Sequence, residues 1–308
     1  MLRHLLVPLD GSPLAEAVLP AVGALAARFR ARVTLLHVLE TAAPETIHGQ
    51  PHLTDPARAQ AYLARLAHHP QLAGCVVDVH VHATTEPEVA ASVVTHAEEL
   101  GADLIALATH GARTLRSFLF GRIALRALQR GTTPILLVRP VSAAATAFQC
   151  RTILVPLDGT SSHEPSVPMA AEIGKAFGAA VALVAVVPTV TTLTGPQAAT
   201  ASLLPSATRA VLDLAEQQTA AYLQEMADTV RARGVAVRSA VTRGDPVAAL
   251  LEAATTQQAD LVVMATHGKG PLEAFWSGSL TPKVMEALES PLLLVRAGPN
   301  TPSTLRAH

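Results

Sequence analysis

The feature that most constrains this chain is that it carries one pattern twice. Leu5-Leu6-Val7-Pro8-Leu9-Asp10-Gly11-Ser12 returns as Ile153-Leu154-Val155-Pro156-Leu157-Asp158-Gly159-Thr160, a full domain length later. Other landmarks recur in the same order. Val33-Thr34-Leu35-Leu36-His37-Val38 is echoed by Val181-Ala182-Leu183-Val184-Ala185-Val186. Ala102-Asp103-Leu104-Ile105 is echoed by Ala259-Asp260-Leu261-Val262, and Ala108-Thr109-His110-Gly111 by Ala265-Thr266-His267-Gly268. Thr133 to Arg139 returns as Ser290 to Arg296. The period is too long for a solenoid, so the pattern reads as a tandem duplication of a whole domain. The expected domains are 1–141 and 151–297, joined by a linker from Pro140 to Cys150.

Each half alternates short apolar runs with Ala-rich amphipathic segments. Strands are expected near 3–9, 32–39, 75–82, 103–108 and 134–139, then 151–157, 179–187, 235–241, 259–265 and 291–296. Helices are expected near 13–30, 55–68, 87–100 and 121–130, then 163–177, 206–233, 246–257 and 279–289. This alternation implies βαβ units, hence an α/β fold with helices on both faces of a parallel sheet. Right-handed crossovers favour two doubly wound domains, each five-stranded in order 3-2-1-4-5. Thr41–Thr54 and Pro188–Pro205 are expected to be mobile surface loops at the carboxyl edge of the sheets.

Composition narrows the function classes. The chain has 308 residues, half of them hydrophobic, with 3% aromatics, so Ala, Val and Leu must build the core. A net charge of −1 lacks the basic footprint of non-specific nucleic-acid binding. Cys75 and Cys150 offer no disulfide framework and no zinc pattern. Asp10 and Gly11 interrupt the first apolar run too early for a signal peptide, and no run is long enough to cross a bilayer. The expectation is a soluble cytoplasmic protein that engages no membrane.

In order 3-2-1-4-5 the ligand crevice lies between strands 1 and 4, at their carboxyl ends. In the second half Asp158 and the loop from Thr266 therefore converge. Gly268 admits close backbone approach, and Gly278 and Ser279 present N–H groups and a hydroxyl where a helix starts, which suits phosphate. Asp158 can accept from a ribose or base, or hold a metal ion through water. Gly244-Asp245-Pro246 is expected to turn tightly and keep the crevice open.

These residues resemble the universal stress protein family in its tandem form. The resemblance rests on the Asp after strand 1, the Thr-His-Gly after strand 4 and the Gly-Ser beyond, and it covers nearly the whole chain. ATP-binding members of that family carry Gly, two residues, Gly, nine residues, Gly-Ser/Thr. The second half matches at Gly268, Gly278 and Ser279, with Ala265 in place of the first Gly. The resemblance implies ATP, with or without Mg, lying against Pro156, Leu157, Asp158, Val186, Met264, Ala265 and His267. It places the phosphates over Gly268, Gly278, Ser279 and Leu280. In the first half the matching positions are Asp10, Val38, Gly111, Gly121 and Arg122, with Ala108 for the first Gly. Arg122 stands where Ser is expected, either folding over phosphates or filling their place; the favoured expectation is a weakened or empty first site. The resemblance also implies an internal pseudo-dimer along Ile135–Arg139 and Leu292–Arg296, with a further homodimer open and a regulatory partner unidentified.

Plainer readings stand beside these. Asp10 and Asp158 are also suited to capping helices. His110 and His267 have no second base at a defined spacing, so a loop role is favoured over catalysis and no catalytic residue is assigned. His80 and His82 share a strand face, but with no third ligand in view no metal site is assigned. Trp276 reads as a loop or interface anchor. The leading expectation is a nucleotide-dependent stress-response regulator. The alternatives are an interaction scaffold of the same fold, or a slow ATPase, since the loop lacks the Gly-Lys-Ser/Thr ending of a P-loop.

Overall fold

The computed structural model describes residues 2–41, 43, 46–47, 50–109, 119–140, 147–193, 195–266 and 280–297. The chain divides into two compact units. The first holds Met1–Gln149 together with Pro291–Arg296, and the second begins at Cys150.

The first unit is built on β1 (His4–Pro8), β2 (Arg32–Glu40), β5 (Val76–Glu86), β6 (Leu104–Ala108) and β7 (Ile135–Val138). They are parallel and lie in the order β5-β2-β1-β6-β7. A sixth strand, β12 (Leu292–Arg296), pairs antiparallel with β7, setting Leu292 opposite Leu137 and Leu294 opposite Ile135. Every residue of β1, β6 and β7 is buried, as expected of strands covered on both faces. The expected helix over 13–30 is divided into α1 (Pro13–Glu16) and α2 (Leu19–Phe29). Pro20 lacks an N–H, so it suits the first turn of α2 and not the middle of one long helix. Leu19, Val22 and Leu25 of α2 are buried, each contributing about 2 kcal/mol. α3 (Pro56–Ala67), α4 (Val89–Glu99) and α5 (Leu119–Arg130) complete the unit. The Thr41–Thr54 segment contains β3 (Thr46–Ile47) and β4 (Gln50–Pro51), which pair antiparallel.

The second unit repeats the plan with β8 (Thr152–Leu157), β9 (Ala180–Val187), β10 (Val237–Arg243) and β11 (Leu261–Thr266), parallel in the order β10-β9-β8-β11. Its helices are α6 (Ser166–Phe177), α7 (Gly195–Leu203), α8 (Pro205–Arg231), α9 (Pro246–Thr256) and α10 (Leu280–Ala287). α7 corrects the loop expected over Pro188–Pro205. The run Gln197-Ala198-Ala199-Thr200-Ala201 has enough Ala to propagate a helix, and Thr200 and Ser202 return their hydroxyls to carbonyls of their own turn.

The repeated Asp after each Ala102/Ala259 has a structural role. Asp103 Oδ2 accepts from Arg3 N at 2.7 Å and His4 N at 3.0 Å. Asp260 Oδ2 accepts from Arg151 N and Thr152 N at the same two distances. Each carboxylate ties the start of the first strand of its half to the start of the fourth. A pair of such charge-assisted bonds contributes about 2 kcal/mol. Among the described residues no helix is long and apolar enough to cross a membrane.

Candidate functional site

Parallel pairing of β8 with β11 sets Ile153 opposite Leu261 and Leu154 opposite Val262, so the two strands end side by side. Asp158 follows the last residue of β8. Its Oδ1 accepts from Thr160 N at 3.0 Å and Thr160 Oγ1 at 2.7 Å, and its Oδ2 lies 2.8 Å from His163 Nδ1. Gly159 carries φ +82, which bends the chain back and lets the side chain of Asp158 reach Thr160. Asp10 makes the matching turn, its Oδ1 accepting from Ser12 N at 2.8 Å. The helix-cap reading is thereby corrected. Ser12 caps α1 by accepting from Ala15 N, and α6 starts only at Ser166.

Partial burial disfavours the charged Asp158, but the hydrogen bonds from His163 and Thr160 outweigh it and hold the carboxyl down at about 2. Its folded value lies below the unfolded one. The resulting stabilisation is complete above about pH 4 and is lost as pH falls through about 2. The side chain is 51% exposed, so solvent screening reduces the contribution to about 1 kcal/mol. Asp158→Asn is expected to cost that much at neutral pH, with the cost shrinking as pH falls from about 4 through about 2. Denaturant titrations across this range check it; a gap as large at pH 2 as at neutral pH would refute the ionic origin.

The described residues among the other expected contacts of the second half lie at or near strand ends. Pro156 is half-buried, and Leu157, Met264 and Ala265 are buried at the ends of β8 and β11. Val186 lies one residue past the last pairing of β9 with β8, where Ala185 faces Leu157. Gly244 has φ +144 and its N–H donates to Val187 O at 3.1 Å. Asp245 then caps α9, accepting from Val247 N and Ala248 N. Thr266 ends β11 and Thr281 lies in the first turn of α10; the Thr281 hydroxyl donates to Thr266 Oγ1 at 3.2 Å, and both are buried. This bond ties the end of β11 to the first turn of α10. In the repeat, Ala124 occupies the Thr281 position, so the first half has no such clasp.

His110, Gly111, His267, Gly268, Trp276, Gly278 and Ser279 lie outside the described residues. Gly121 and Arg122 fall inside α5, which begins at Leu119 and so two residues before the expected start, and Leu280 opens α10. The side chains of these three are likewise outside what is described.

The first half differs at the turn itself. Leu53 lies over Gly11, its Cδ1 2.6 Å from where a Cβ would stand. Buried His37 fixes this arrangement, with Nδ1 2.7 Å from Leu9 O and Nε2 2.9 Å from Leu53 O. The covering segment therefore crosses the ends of β1 and β2, with Val38 buried beside it. At Gly159 no described atom lies within 4 Å of the equivalent point. The repeat puts Ala185 at the His37 position, and a methyl group cannot reach across. Sequence reading missed Leu53 and His37, although the His37/Ala185 mismatch was visible in the duplicated motif. Cys75 and Cys150 are both free thiols; burial, with a smaller effect of Asp260, pushes Cys150 up to about 12.

Two tandem units of mainly parallel sheet, each with an acidic turn where the winding reverses, define a doubly wound α/β protein. The sequence model of the Universal stress protein family matches residues 1–139 and again 149–296, and the chain belongs to that family. It is similar to a universal stress protein of Thermus aquaticus, 37% identical over 78 residues, which are 23% of this chain and 57% of the relative. It is also similar to universal stress protein YxiE of Bacillus subtilis, 27% identical over 148 residues, 45% of this chain and all of that one. Among solved structures, a universal stress protein from Archaeoglobus fulgidus shares the fold at TM-score 0.65 and 16% identity, covering 97% of both chains. A protein from Pseudomonas aeruginosa, PA1789, does so at TM-score 0.65 and 17% identity, covering 96% of this chain and 93% of that one.

Proposed function

We propose that this protein is a nucleotide-dependent stress-response regulator that binds one ATP, in the second of two domains spanning 1–141 and 151–297. The observation that carries the reading is the contrast between the two turns. Asp158 is charged and half exposed beside the end of β11, and the space over Gly159 is free of described atoms. The equivalent space over Gly11 holds Leu53. In this reading Val186 offers backbone to the base, Asp158 faces the nucleoside, and Gly268, Gly278 and Ser279 take the phosphates. Mg would add charge neutralisation at the phosphates. The first domain acts as a closed, supporting copy, which is the scaffold alternative confined to one half.

Calorimetry on the full chain tests this. One ATP per chain is expected, with binding abolished in Ser279→Arg, which copies Arg122 into the second half. No heat at millimolar ATP, or two equal sites, would overturn it. The arrangement of the halves as an internal pseudo-dimer belongs to the same proposal, supported by the antiparallel pairing of β7 with β12. Halves separated by a cut in the Pro140–Cys150 linker are expected to co-purify one to one. Independent elution of two folded halves would sink that part.

A further inference from the structure

β5 is the outer strand of the first unit, pairing with β2 alone among the described strands. Its alternation puts His80 and His82 on one face. α4 adds a third imidazole to them. The His96 ring centroid lies 5.0 Å from that of His80 and 4.9 Å from that of His82. One ring nitrogen from each of the three lies within 4.8 Å of the others. His80 is exposed, His82 half-buried and His96 buried, so the cluster opens to solvent on one side and is anchored on the other.

Two of the three rings are oriented by hydrogen bonds that also fix where the proton sits. The carbonyl of Ser92 can only accept, so His96 Nδ1 donates to it at 2.7 Å, leaving Nε2 as a lone pair. The carboxylate of Glu86 accepts from His82 Nε2 at 3.0 Å, leaving Nδ1 as a lone pair. Carbonyl and carboxylate partners of this kind orient metal-bound histidines. Neutral imidazole is the form that ligates metal. Among the described residues, only His82 of the three imidazoles has a carboxylate within hydrogen-bond distance, so convergence of all three rings is not accounted for by ion pairing.

We propose that His80, His82 and His96 bind one divalent transition-metal ion of the zinc class, with its fourth position open to water. A tetrahedral ion with nitrogens at about 2.0–2.1 Å draws the ligand atoms closer than they stand, a ring movement that exposed His80 permits. The site is peculiar to the first half, because β10, the repeat of β5, contains no histidine. It does not depend on the nucleotide reading.

The test uses the full chain without an affinity tag, stripped by chelator, in buffer without nucleotide. Zinc chloride is titrated calorimetrically, and cobalt chloride is followed by its visible ligand-field bands. One ion per chain is expected, with tetrahedral cobalt bands. His80→Ala is expected to weaken binding at least about tenfold and His80→Ala/His82→Ala to remove it. His80 is exposed, so both variants are checked for unchanged circular dichroism and carry the test without altering buried His96. Absence of zinc binding, or equal binding in the folded double variant, would overturn the site.

Discussion

Gly23→Ala is expected to destabilise the first unit by about 3 kcal/mol, the upper end of the usual cost of overpacking. Gly23 sits in α2 where the short 3₁₀ turn Pro70–Leu72 crosses it. A Cβ there would stand 1.8 Å from Gln71 O and 2.9 Å from Gln71 C. Both atoms are backbone, so no rotamer change relieves the contact and helix and turn must separate. The turn is held by Leu72 N donating to His69 O at 2.8 Å and by buried Leu72. The repeat supplies a control: the second half carries buried Ala171 at the equivalent position. Denaturant unfolding with the slope unchanged is the measurement. A loss under about 1 kcal/mol would mean that the turn yields freely.

Gly11→Ala is expected to cost about 2–3 kcal/mol, and Gly159→Ala only about 1–2. The two positions have nearly the same strained backbone, φ +90 and φ +82, so the left-handed penalty is common to both. What differs is Leu53, whose Cδ1 and Cγ would lie 2.6 and 2.8 Å from the new methyl at Gly11. Leu53 can turn away only in part, because its carbonyl is engaged by His37. Adding Leu53→Ala should therefore recover about 1 kcal/mol in the Gly11→Ala background beyond its own effect alone. Equal costs at Gly11 and Gly159, with no coupling to Leu53, would remove the physical basis for treating the two crevices differently.

The strands and most helices were legible because their signals are local. Apolar runs such as Leu104–Ala108 and Leu261–Thr266, bounded by polar turns, leave little choice but buried parallel strands. Proline and capping residues set several boundaries, as at Asp55 and Asp245, whose side chains accept from the first helical turns. Asp10 and Asp158 stood out in the sequence as site candidates, but not as turn-makers, since the choice between a cap and a turn rests on a φ that the sequence does not display. The α7 helix was read as a loop because its Thr, Pro and Gly content masked a short Ala-rich core.

The duplication, the α/β class and the family were determined by the sequence alone, because each depends on order and spacing along the chain; the second-half residues were nominated for a ligand on the same ground. Tertiary structure alone decided which residues meet across long separations. It set Leu53 over Gly11, clasped Thr266 to Thr281, and brought His96 to His80 and His82. A repeat pattern records what each half inherited, but packing of a loop or a helix onto a strand end is a sum of many weak, non-local contacts. No single stretch of residues encodes that sum.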